Sequence, residues 1–164
     1  METVVIALGS NLGDREANLR FAVSELQSIS TTAVRCSSFW ESEPLGPSEH
    51  FFLNAVVSLQ TKLTPQELFE FCKSAERAAG RKPGRVRWAA RVLDLDIIYY
   101  GNLVIHTESL IIPHREYRNR LFVLLPLQEV CPGCKDPETQ ATVSDMISAC
   151  PTMTLYKTAP PGEG

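Results

Sequence analysis

Apolar residues recur along the chain with two different spacings, which predict four strands and two long helices. β-branched runs and strict alternation predict strands at residues 3–8, 31–40, 52–61 and 93–100. Apolar positions three or four residues apart predict one helix after Asp14 and a second after Thr64. Thr64 and Glu67 have the spacing of a capping box, and Gly80 is the expected stop of the second helix.

The resulting order of strand, helix, strand, strand, helix, strand predicts an α+β, ferredoxin-like fold. In that fold an antiparallel sheet carries the helices of its βαββαβ core on one face, and we expect ligand loops on the other. A chain of 164 residues is expected to form a single domain over residues 1–164. Its proline- and glycine-containing end, from about 156 to 164, is expected to fray.

Two carboxylates share one face of the last predicted strand. Asp94 and Asp96 are two residues apart, so their side chains point the same way. Aspartates on an exposed strand are often simply solvated, but here Ile98 and Tyr100 continue the same face. Because aspartate is disfavoured in strands, the pair suggests a function such as magnesium binding, and magnesium normally arrives with phosphate.

A basic segment directly precedes these aspartates, in a chain whose formal net charge is -3. Seven of the 16 lysines and arginines fall between residues 73 and 91: Lys73, Arg77, Arg81, Lys82, Arg85, Arg87 and Arg91. Guanidinium groups can grip phosphate and neutralise its charge during transfer. A solvated loop or a nucleic-acid contact would also explain the arginines, but not the adjoining aspartates.

Aromatic and amide side chains predict a pocket for a flat heterocycle. Trp88, Phe52 and Phe122 could stack on a ring, and Asn54 could read its hydrogen-bonding edge. His114, followed by several arginines, could contact a nucleotide phosphate. Neither a P-loop nor a Gly-x-Gly-x-x-Gly motif is present, so a nucleotide would be held by another device.

The five cysteines form an odd, irregular set, which favours free thiols over a disulfide framework. Cys131 and Cys134 have the spacing of half a zinc site, but no second pair or nearby histidine completes it. No apolar run approaches the roughly 20 residues that span a bilayer. No export signal follows Met1, so we expect a cytoplasmic protein.

Five ordered motifs between about residues 3 and 132 closely resemble those of the 6-hydroxymethyl-7,8-dihydropterin pyrophosphokinases of folate biosynthesis. The motifs are Gly9-Ser10-Asn11-Leu12-Gly13-Asp14, Pro44-Leu45-Gly46, Phe52-Leu53-Asn54-Ala55, Arg87-Trp88-x-x-Arg91-x-Leu93-Asp94-Leu95-Asp96-Ile97 and Ile112-Pro113-His114. This chain departs from the family's usual pattern at Lys73, Pro83 and Ala89-Ala90. These departures concern loop mobility and ATP affinity, not the reaction.

The resemblance implies transfer of the β,γ-diphosphate of ATP to the hydroxymethyl oxygen of the dihydropterin, with release of AMP. It implies two magnesium ions, with Asp94 and Asp96 as ligands, and Arg81 and Arg91 as catalytic residues. Positions matching the family's pterin site are Ser42, Leu45, Phe52, Asn54, Trp88 and Phe122. Positions matching its ATP site, or the polar support of that site, are Lys73, Glu76, Arg87, Ile97, His114 and Arg120.

Two other functions remain compatible with the residue pattern alone. In a non-catalytic ferredoxin-like ligand-binding domain, the aspartates would be solvated and the basic segment would contact a partner. In a metal-dependent nuclease or RNA-binding domain, the arginines would bind a phosphate backbone, although the net negative charge disfavours this. We expect a monomer that acts on ATP and dihydropterin, with neither nucleic acid nor membrane as a partner.

Overall fold

The computed structural model describes residues 1–43, 51–80 and 92–158. Its strands are β1 Glu2–Ser10, β2 Arg35–Cys36, β3 Trp40–Ser42, β4 Phe52–Thr61, β5 Asp94–Tyr100, β6 Ile105–His106, β7 Ile111–Ile112 and β8 Leu155–Lys157. Its α-helices are α1 Arg15–Gln27, α2 Pro65–Ala78, α3 Leu121–Val130 and α4 Val143–Ala149, and a 3-10 turn spans Tyr117–Asn119.

An antiparallel sheet forms the centre of the molecule, as predicted. Its strands lie in the order β5-β1-β4-β3-β8, with β2 also paired to β4. β1 lies between β5 and β4, and its pairing with β4 runs from Glu2 opposite Thr61 to Ser10 opposite Leu53. The mixed α/β class with an antiparallel sheet is therefore confirmed. β6 and β7 form a separate two-stranded sheet.

Helices α1 and α2 cover one face of the sheet and form the larger core with it. Residues from β1, α1 and α2 meet there: Val4, Ile6, Leu8, Leu19, Ala22, Leu26, Leu68, Cys72 and Ala75. The predicted capping box of α2 is present, because Thr64 Oγ1 accepts from the Glu67 amide at 3.2 Å and Glu67 Oε1 accepts from the Thr64 amide at 2.9 Å. Asp14 caps α1 by accepting from the Ala17 amide at 3.1 Å.

The prediction that the helices pack on one face is wrong, because α3 and α4 pack against the other. They enclose a second core with Val5, Ala7, Val56 and Ile98 of the sheet. The apolar run 121–127, for which no helix was predicted, forms most of α3, and burial of that helix requires a second apolar surface. Near the C-terminal end of β1, the sheet face that α3 and α4 cover is no longer apolar. Gly9, Asn54 and Asp94 occupy it there.

A shift of register between β1 and β5 corrects the predicted faces of two tyrosines. The pairing is irregular between Val5 and Ile6, so strict alternation along β5 ends near Ile98. Tyr99 joins Ile98 in the second core, whereas Tyr100 lies in the first. Tyr100 therefore does not continue the face of Asp94 and Asp96, although Ile98 does.

The last described segment pairs with the sheet, and the first two residues of the end that was expected to fray, Tyr156 and Lys157, lie in β8. Tyr156 lies opposite Glu41 in the pairing of β8 with β3, and the Thr158 amide donates to the Phe39 carbonyl at 2.7 Å. These backbone hydrogen bonds hold the segment to the sheet. The remainder of the predicted tail, residues 159–164, lies outside the described residues.

Two of the five cysteines are not free thiols. Cys131 and Cys134 form a disulfide, because the turn after α3 brings their Cα atoms to 5.4 Å, within the range that a disulfide requires. Cys36, Cys72 and Cys150 remain free thiols. No helix among the described residues is long and apolar enough to cross a membrane.

Candidate active site

Three neighbouring strands bring Asn54, Gly9 and Asp94 into one row across the sheet. Gly9 of β1 lies opposite Asn54 on one side and opposite Asp94 on the other. Directly opposed residues share a face of the sheet, so the amide and the carboxylate project to the same side, with no side chain between them. The second row on this face is Val56-Ala7-Asp96, so Asp96 projects to the same side as Asp94 but beside apolar neighbours.

Gly9 keeps the space between these two groups open. A Cβ at this position would lie 3.7 Å from a ring carbon of Phe52 and 3.8 Å from Asn54 Oδ1, which are ordinary van der Waals distances. An alanine would therefore partly fill the notch without distorting the strand. Gly9 was not among the predicted site residues, although a glycine ending a β-branched run can mark a close approach of a ligand or backbone.

Hydrogen bonds fix the orientation of the Asn54 amide. Its Nδ2 donates to Ser42 Oγ at 2.8 Å and to the Trp40 carbonyl at 3.0 Å. Ser42 and Asn54 are only 2% and 4% exposed, and Ser42 lies opposite Phe52 in the β3–β4 pairing. Three residues predicted for the pterin site therefore meet at one corner of the sheet, which we call the pterin corner: Ser42, Phe52 and Asn54.

Of the other three residues predicted for the pterin, Phe122 is the one among the described residues. Phe122 is the second residue of α3, packs against the second core, and lies with its ring centre 5.7 Å from the Arg120 guanidinium carbon. Leu45 and Trp88 lie outside the described residues.

Asp94 and Asp96 begin β5 on the same face, as predicted. Burial, followed by the negative charge of Asp94, raises the pKa of Asp96 well above its usual range, and Arg120 partly opposes this. About a third of the Asp96 side chain remains exposed, at 33%, so a ligand can reach it. A cation bound by both carboxylates would oppose these two effects and stabilise the ionised form of Asp96.

The donor set of this pair fits a magnesium ion that also binds phosphate. No set of three or more histidine, cysteine, aspartate or glutamate side chains within the described residues could hold a metal ion. Magnesium is usually bound through one or two carboxylates, with waters and substrate phosphates completing its shell. Two adjacent carboxylates therefore satisfy what magnesium requires of the protein.

Glu76 of α2 supports β5 from the helix-covered side. The Leu95 amide donates to Glu76 Oε2 at 2.7 Å, and Lys73 Nζ lies 3.3 Å from Glu76 Oε1. Glu76 is 1% exposed, so this carboxylate is buried below the strand. It contacts the backbone between the two aspartates rather than the open side of the sheet.

His114 faces the aspartate pair as a neutral imidazole. Burial, followed by the charge of Arg120, lowers its pKa to about 4. Its Nδ1 accepts from the Glu116 amide at 3.2 Å, which leaves the proton on Nε2. Nε2 lies 3.9 Å from Asp96 Oδ2, which is too far for a hydrogen bond. Its N–H can therefore donate to a ligand instead.

A cavity of about 270 Å³ opens beside Asp96 and His114. Lys73 and Ile97, both predicted for ATP, also line it, together with apolar side chains that include Phe69 and Leu110. This mixture of apolar walls and a few charged groups is typical of sites for small molecules. The sequence analysis missed Phe69 and Leu110, whose apolar pattern alone indicates only core positions.

The remaining predicted residues divide into two groups. The positive charge of Arg120 acts on Asp96 and opposes the rise in its pKa. Nη2 of Arg120 lies 2.7 Å from Glu116 Oε2. Arg81, Arg87 and Arg91, including both predicted catalytic residues, lie outside the described residues.

Comparison with known proteins identifies the family to which these features belong. Residues 5–132 match the family model of 7,8-dihydro-6-hydroxymethylpterin-pyrophosphokinase, or HPPK. The chain belongs to the HPPK family. The match includes every described residue of the pterin corner, both aspartates and the cavity.

Curated relatives of this HPPK extend over most of its length. A 2-amino-4-hydroxy-6-hydroxymethyldihydropteridine pyrophosphokinase of Bacillus subtilis is 44% identical over 138 residues, covering 83% of this chain and 82% of its own. The Haemophilus influenzae protein of the same name is 42% identical over 142 residues, covering 85% and 88%. A mitochondrial folate synthesis bifunctional protein of Arabidopsis thaliana is 42% identical over 139 residues, which cover 84% of this chain but 25% of that protein.

Solved structures show the same fold at low sequence identity. The HPPK-DHPS protein of Plasmodium falciparum, solved with pterin and p-hydroxybenzoate, aligns with a TM-score of 0.67 and 15% identity. The alignment covers 90% of this HPPK and 41% of that chain. Another HPPK-DHPS structure, solved with substrates, aligns with a TM-score of 0.67 and 13% identity over 90% of this chain and 43% of its own. This HPPK thus spans less than half the length of those proteins.

Proposed function

We propose that this HPPK transfers the β,γ-diphosphate of ATP to the hydroxymethyl oxygen of 6-hydroxymethyl-7,8-dihydropterin, releasing AMP, in folate biosynthesis. The observation that carries the proposal is the row Asn54-Gly9-Asp94, which sets an amide beside a carboxylate across an open notch. A pterin at the amide would have its hydroxymethyl group next to the aspartate pair. The family match and the names of the relatives agree with this reaction.

The pterin corner would orient the acceptor. Phe52 offers a ring for stacking, and the Asn54 amide is held in one orientation by Ser42 and the Trp40 carbonyl. A fixed amide can match the donor and acceptor pattern of a pterin edge without losing further side-chain entropy. Leu45, Trp88 and Phe122 are proposed to complete this site.

The cavity beside Asp96 would hold the nucleotide. Its apolar walls at Phe69, Ile97 and Leu110 suit a base, while Lys73 and His114, which also line it, suit the phosphates. The neutral His114 would donate its Nε2 proton to a phosphate oxygen without adding charge. Glu76, Arg87 and Arg120 are proposed to support the ATP site from its margins.

We propose that Asp94 and Asp96 would hold two magnesium ions. The ions would neutralise the negative charge of the triphosphate. The two carboxylates keep their positions because they flank Leu95, whose amide is bound by Glu76. Arg81 and Arg91 are proposed as the catalytic arginines that neutralise charge on the transferred group. We expect Arg91→Ala to lower turnover far more than pterin binding.

Several broader features belong to the same proposal. Residues 1–164 form a single domain with a ferredoxin-like core, supported by the strand order β5-β1-β4-β3 and by α1 and α2 as the connecting helices. The protein acts in the cytoplasm as a monomer on ATP and dihydropterin, without nucleic acid or a membrane as partner. The overall net charge of -3 supports the exclusion of nucleic acid.

The deciding experiment measures which nucleotide is released. Purified protein is incubated with ATP, magnesium and the hydroxymethyl dihydropterin, and AMP and ADP are separated by chromatography. We expect AMP in amounts equal to the pterin diphosphate, and none when magnesium is chelated or when a 6-methyl pterin replaces the substrate.

Release of ADP would instead indicate transfer of a single phosphoryl group, and absence of both nucleotides would favour a non-catalytic ligand-binding domain. Cleavage of an oligonucleotide in the same buffer would favour a nuclease.

A further inference from the structure

The first residue of α1 bridges the two chain segments that lead into the pterin corner. Arg15 Nη2 lies 2.5 Å from Glu41 Oε1, and Arg15 Nη1 donates to the Phe51 carbonyl at 3.0 Å. Glu41 belongs to β3, and Phe51 directly precedes β4. One guanidinium group therefore contacts two segments that are adjacent in space but separated by ten positions in sequence.

The helix end that carries Arg15 is itself anchored to β1. Asn18 Nδ2 donates to Ser10 Oγ at 3.1 Å and to the Leu12 carbonyl at 3.0 Å. Asp14 caps the helix through the Ala17 amide. Arg15 is therefore held beside the end of β1 that also carries Gly9. Its bonds to Glu41 and the Phe51 carbonyl thus fix these two segments relative to β1.

Both partners of Arg15 are next to residues of the pterin corner. Ser42 follows Glu41, and Phe52 follows Phe51, and these two residues are the last backbone pair of β3 and β4 among the described residues. The end of a strand pair is where strands separate most easily. Because β3 and β4 are antiparallel, Glu41 lies one residue inside this last pair and Phe51 one residue beyond it. The bridge through Arg15 therefore spans the pair and would keep Ser42 and Phe52 in register.

The chemistry of arginine suits this bridge. The guanidinium group carries several donors in a rigid plane and can bind a carboxylate and a carbonyl together, which the single ammonium of lysine does less well. The side chains of Arg15 and Glu41 are 31% and 29% exposed. Ion pairs this accessible to solvent contribute little to global stability, so the bridge should matter for local geometry.

We propose that Arg15 is a positioning residue for the pterin, which acts through Glu41 and the Phe51 carbonyl to hold Ser42 and Phe52 in place. This rests on the proposed function of the pterin corner. Arg15 itself need not contact the pterin, the nucleotide or the metal.

The test compares Arg15→Gln and Arg15→Lys with the wild type. Dissociation constants for the pterin are measured by calorimetry with a non-hydrolysable ATP analogue, and KM and kcat are measured by AMP release. Arg15→Gln should weaken pterin binding by up to about tenfold, because pterin binding would then have to order Ser42 and Phe52. Its KM for ATP and kcat should change less than about twofold, since the reacting groups are untouched.

Arg20→Gln is the matched control. Arg20 lies on the same helix and pairs with Glu16 at the same distance of 2.5 Å, but both side chains are exposed and lie within one helix. We expect this variant to bind pterin like the wild type. The pterin affinity of Arg15→Lys should lie between those of the wild type and Arg15→Gln. Lysine keeps the positive charge but lacks the planar guanidinium group that can bind two acceptors together.

A double-mutant cycle with Glu41→Gln tests whether Arg15 acts through its partner. The effects of Arg15→Gln and Glu41→Gln should be less than additive, because each removes the same bridge. An unchanged pterin affinity in Arg15→Gln, or an equal loss in Arg20→Gln, would overturn the proposal. If wild-type protein binds no pterin and releases no AMP, the proposed function itself is wrong, which this design separates from failure of Arg15 alone.

Discussion

The Leu95 amide donates a hydrogen bond of 2.7 Å to Glu76 Oε2, and this bond connects α2 to the strand that carries both aspartates. Leu95 lies between Asp94 and Asp96, so the bond fixes the backbone from which both side chains project. Glu76 is buried, and hydrogen bonds to buried charged groups are stronger than those between neutral groups. The packing of α2 therefore helps to determine the position of the proposed magnesium ligands.

Replacing Glu76 with alanine should destabilise the protein and impair turnover. The change leaves the Leu95 amide without this acceptor, at a cost of about 1.5–3 kcal/mol in the free energy of unfolding. Glu76→Gln keeps an acceptor oxygen and should recover part of both properties. Urea unfolding and AMP release measure the two effects.

Glu70→Ala provides the control for this prediction. Glu70 lies on the same helix, but accepts from Gln66 at an exposed position. We expect its free energy of unfolding to change by less than about 0.5 kcal/mol. Similar losses in Glu70→Ala and Glu76→Ala would mean that shortening any glutamate on this helix destabilises the protein, and that the bond to Leu95 is not responsible.

Asp96→Asn should separate stability from activity. Burial and the charge of Asp94 disfavour the ionised form of Asp96, so a neutral amide should leave the thermal midpoint of the metal-free protein unchanged or raise it. The same change removes a proposed metal ligand and should lower AMP release by about 10²-fold or more. Thermal unfolding with and without magnesium and ATP gives the first quantity, and the nucleotide assay gives the second.

Ligand-induced stabilisation should also be lost in this variant. Magnesium with ATP should raise the midpoint of the wild type by mass action, but raise that of Asp96→Asn much less. A variant that is strongly destabilised without metal, yet still stabilised by magnesium and ATP, would contradict the proposed role of Asp96.

Asp136 should make stability depend on pH in the acid range. Its buried carboxylate accepts from Tyr117 and Arg118, each at 2.5 Å, and from the Glu138 and Thr139 amides. These bonds outweigh burial and lower the pKa of Asp136 to about 2, from an ordinary value of 3.8. Because the folded-state pKa is depressed, the stabilisation is present above about pH 4 and is lost as the pH falls towards 2.

Urea unfolding at several pH values checks this prediction. The free energy of unfolding should fall between pH 4 and pH 2, and Asp136→Asn should reduce that slope. Asp136→Ala should cost about 3–5 kcal/mol at pH 7, since it leaves buried donors and a charge without their partner. An unchanged slope in Asp136→Asn would assign the acid sensitivity to other carboxylates.

Gly9→Ala should impair pterin binding without unfolding the protein. A Cβ at Gly9 meets only ordinary contacts, at 3.7 Å or more, so the free energy of unfolding should change by less than about 1 kcal/mol. The methyl group would nevertheless enter the notch between Asn54 and Asp94. We expect the pterin KM to rise at least about fivefold, since a methyl group in a fitted site is worth about 1–3 kcal/mol.

Gly133→Ala is a suitable control for Gly9→Ala, because a Cβ there meets nothing within 4 Å and Gly133 lies in the turn after α3. Equal pterin KM values for the wild type and Gly9→Ala would show that the notch does not hold the pterin.

Local sequence patterns predicted the parts of the structure that depend on neighbouring residues. The capping box between Thr64 and Glu67 and the shared face of Asp94 and Asp96 are examples. The bulge near Ile98 was not predictable in this way, because it depends on how β5 pairs with β1. Likewise, the apolar run that forms α3 did not reveal which face of the sheet it would cover.

By itself, the sequence determined the order of β1, α1, β4, α2 and β5, the aspartate pair and the family motifs, because each depends on short spacings along the chain. The predicted strand at 31–40 instead forms the two short strands β2 and β3. The tertiary structure alone decided that Asn54, Gly9 and Asp94 stand in one row, and that Arg15 reaches Glu41 and Phe51. Both arrangements join residues far apart in sequence. Their register is set by packing across three strands and a helix, which no local pattern encodes.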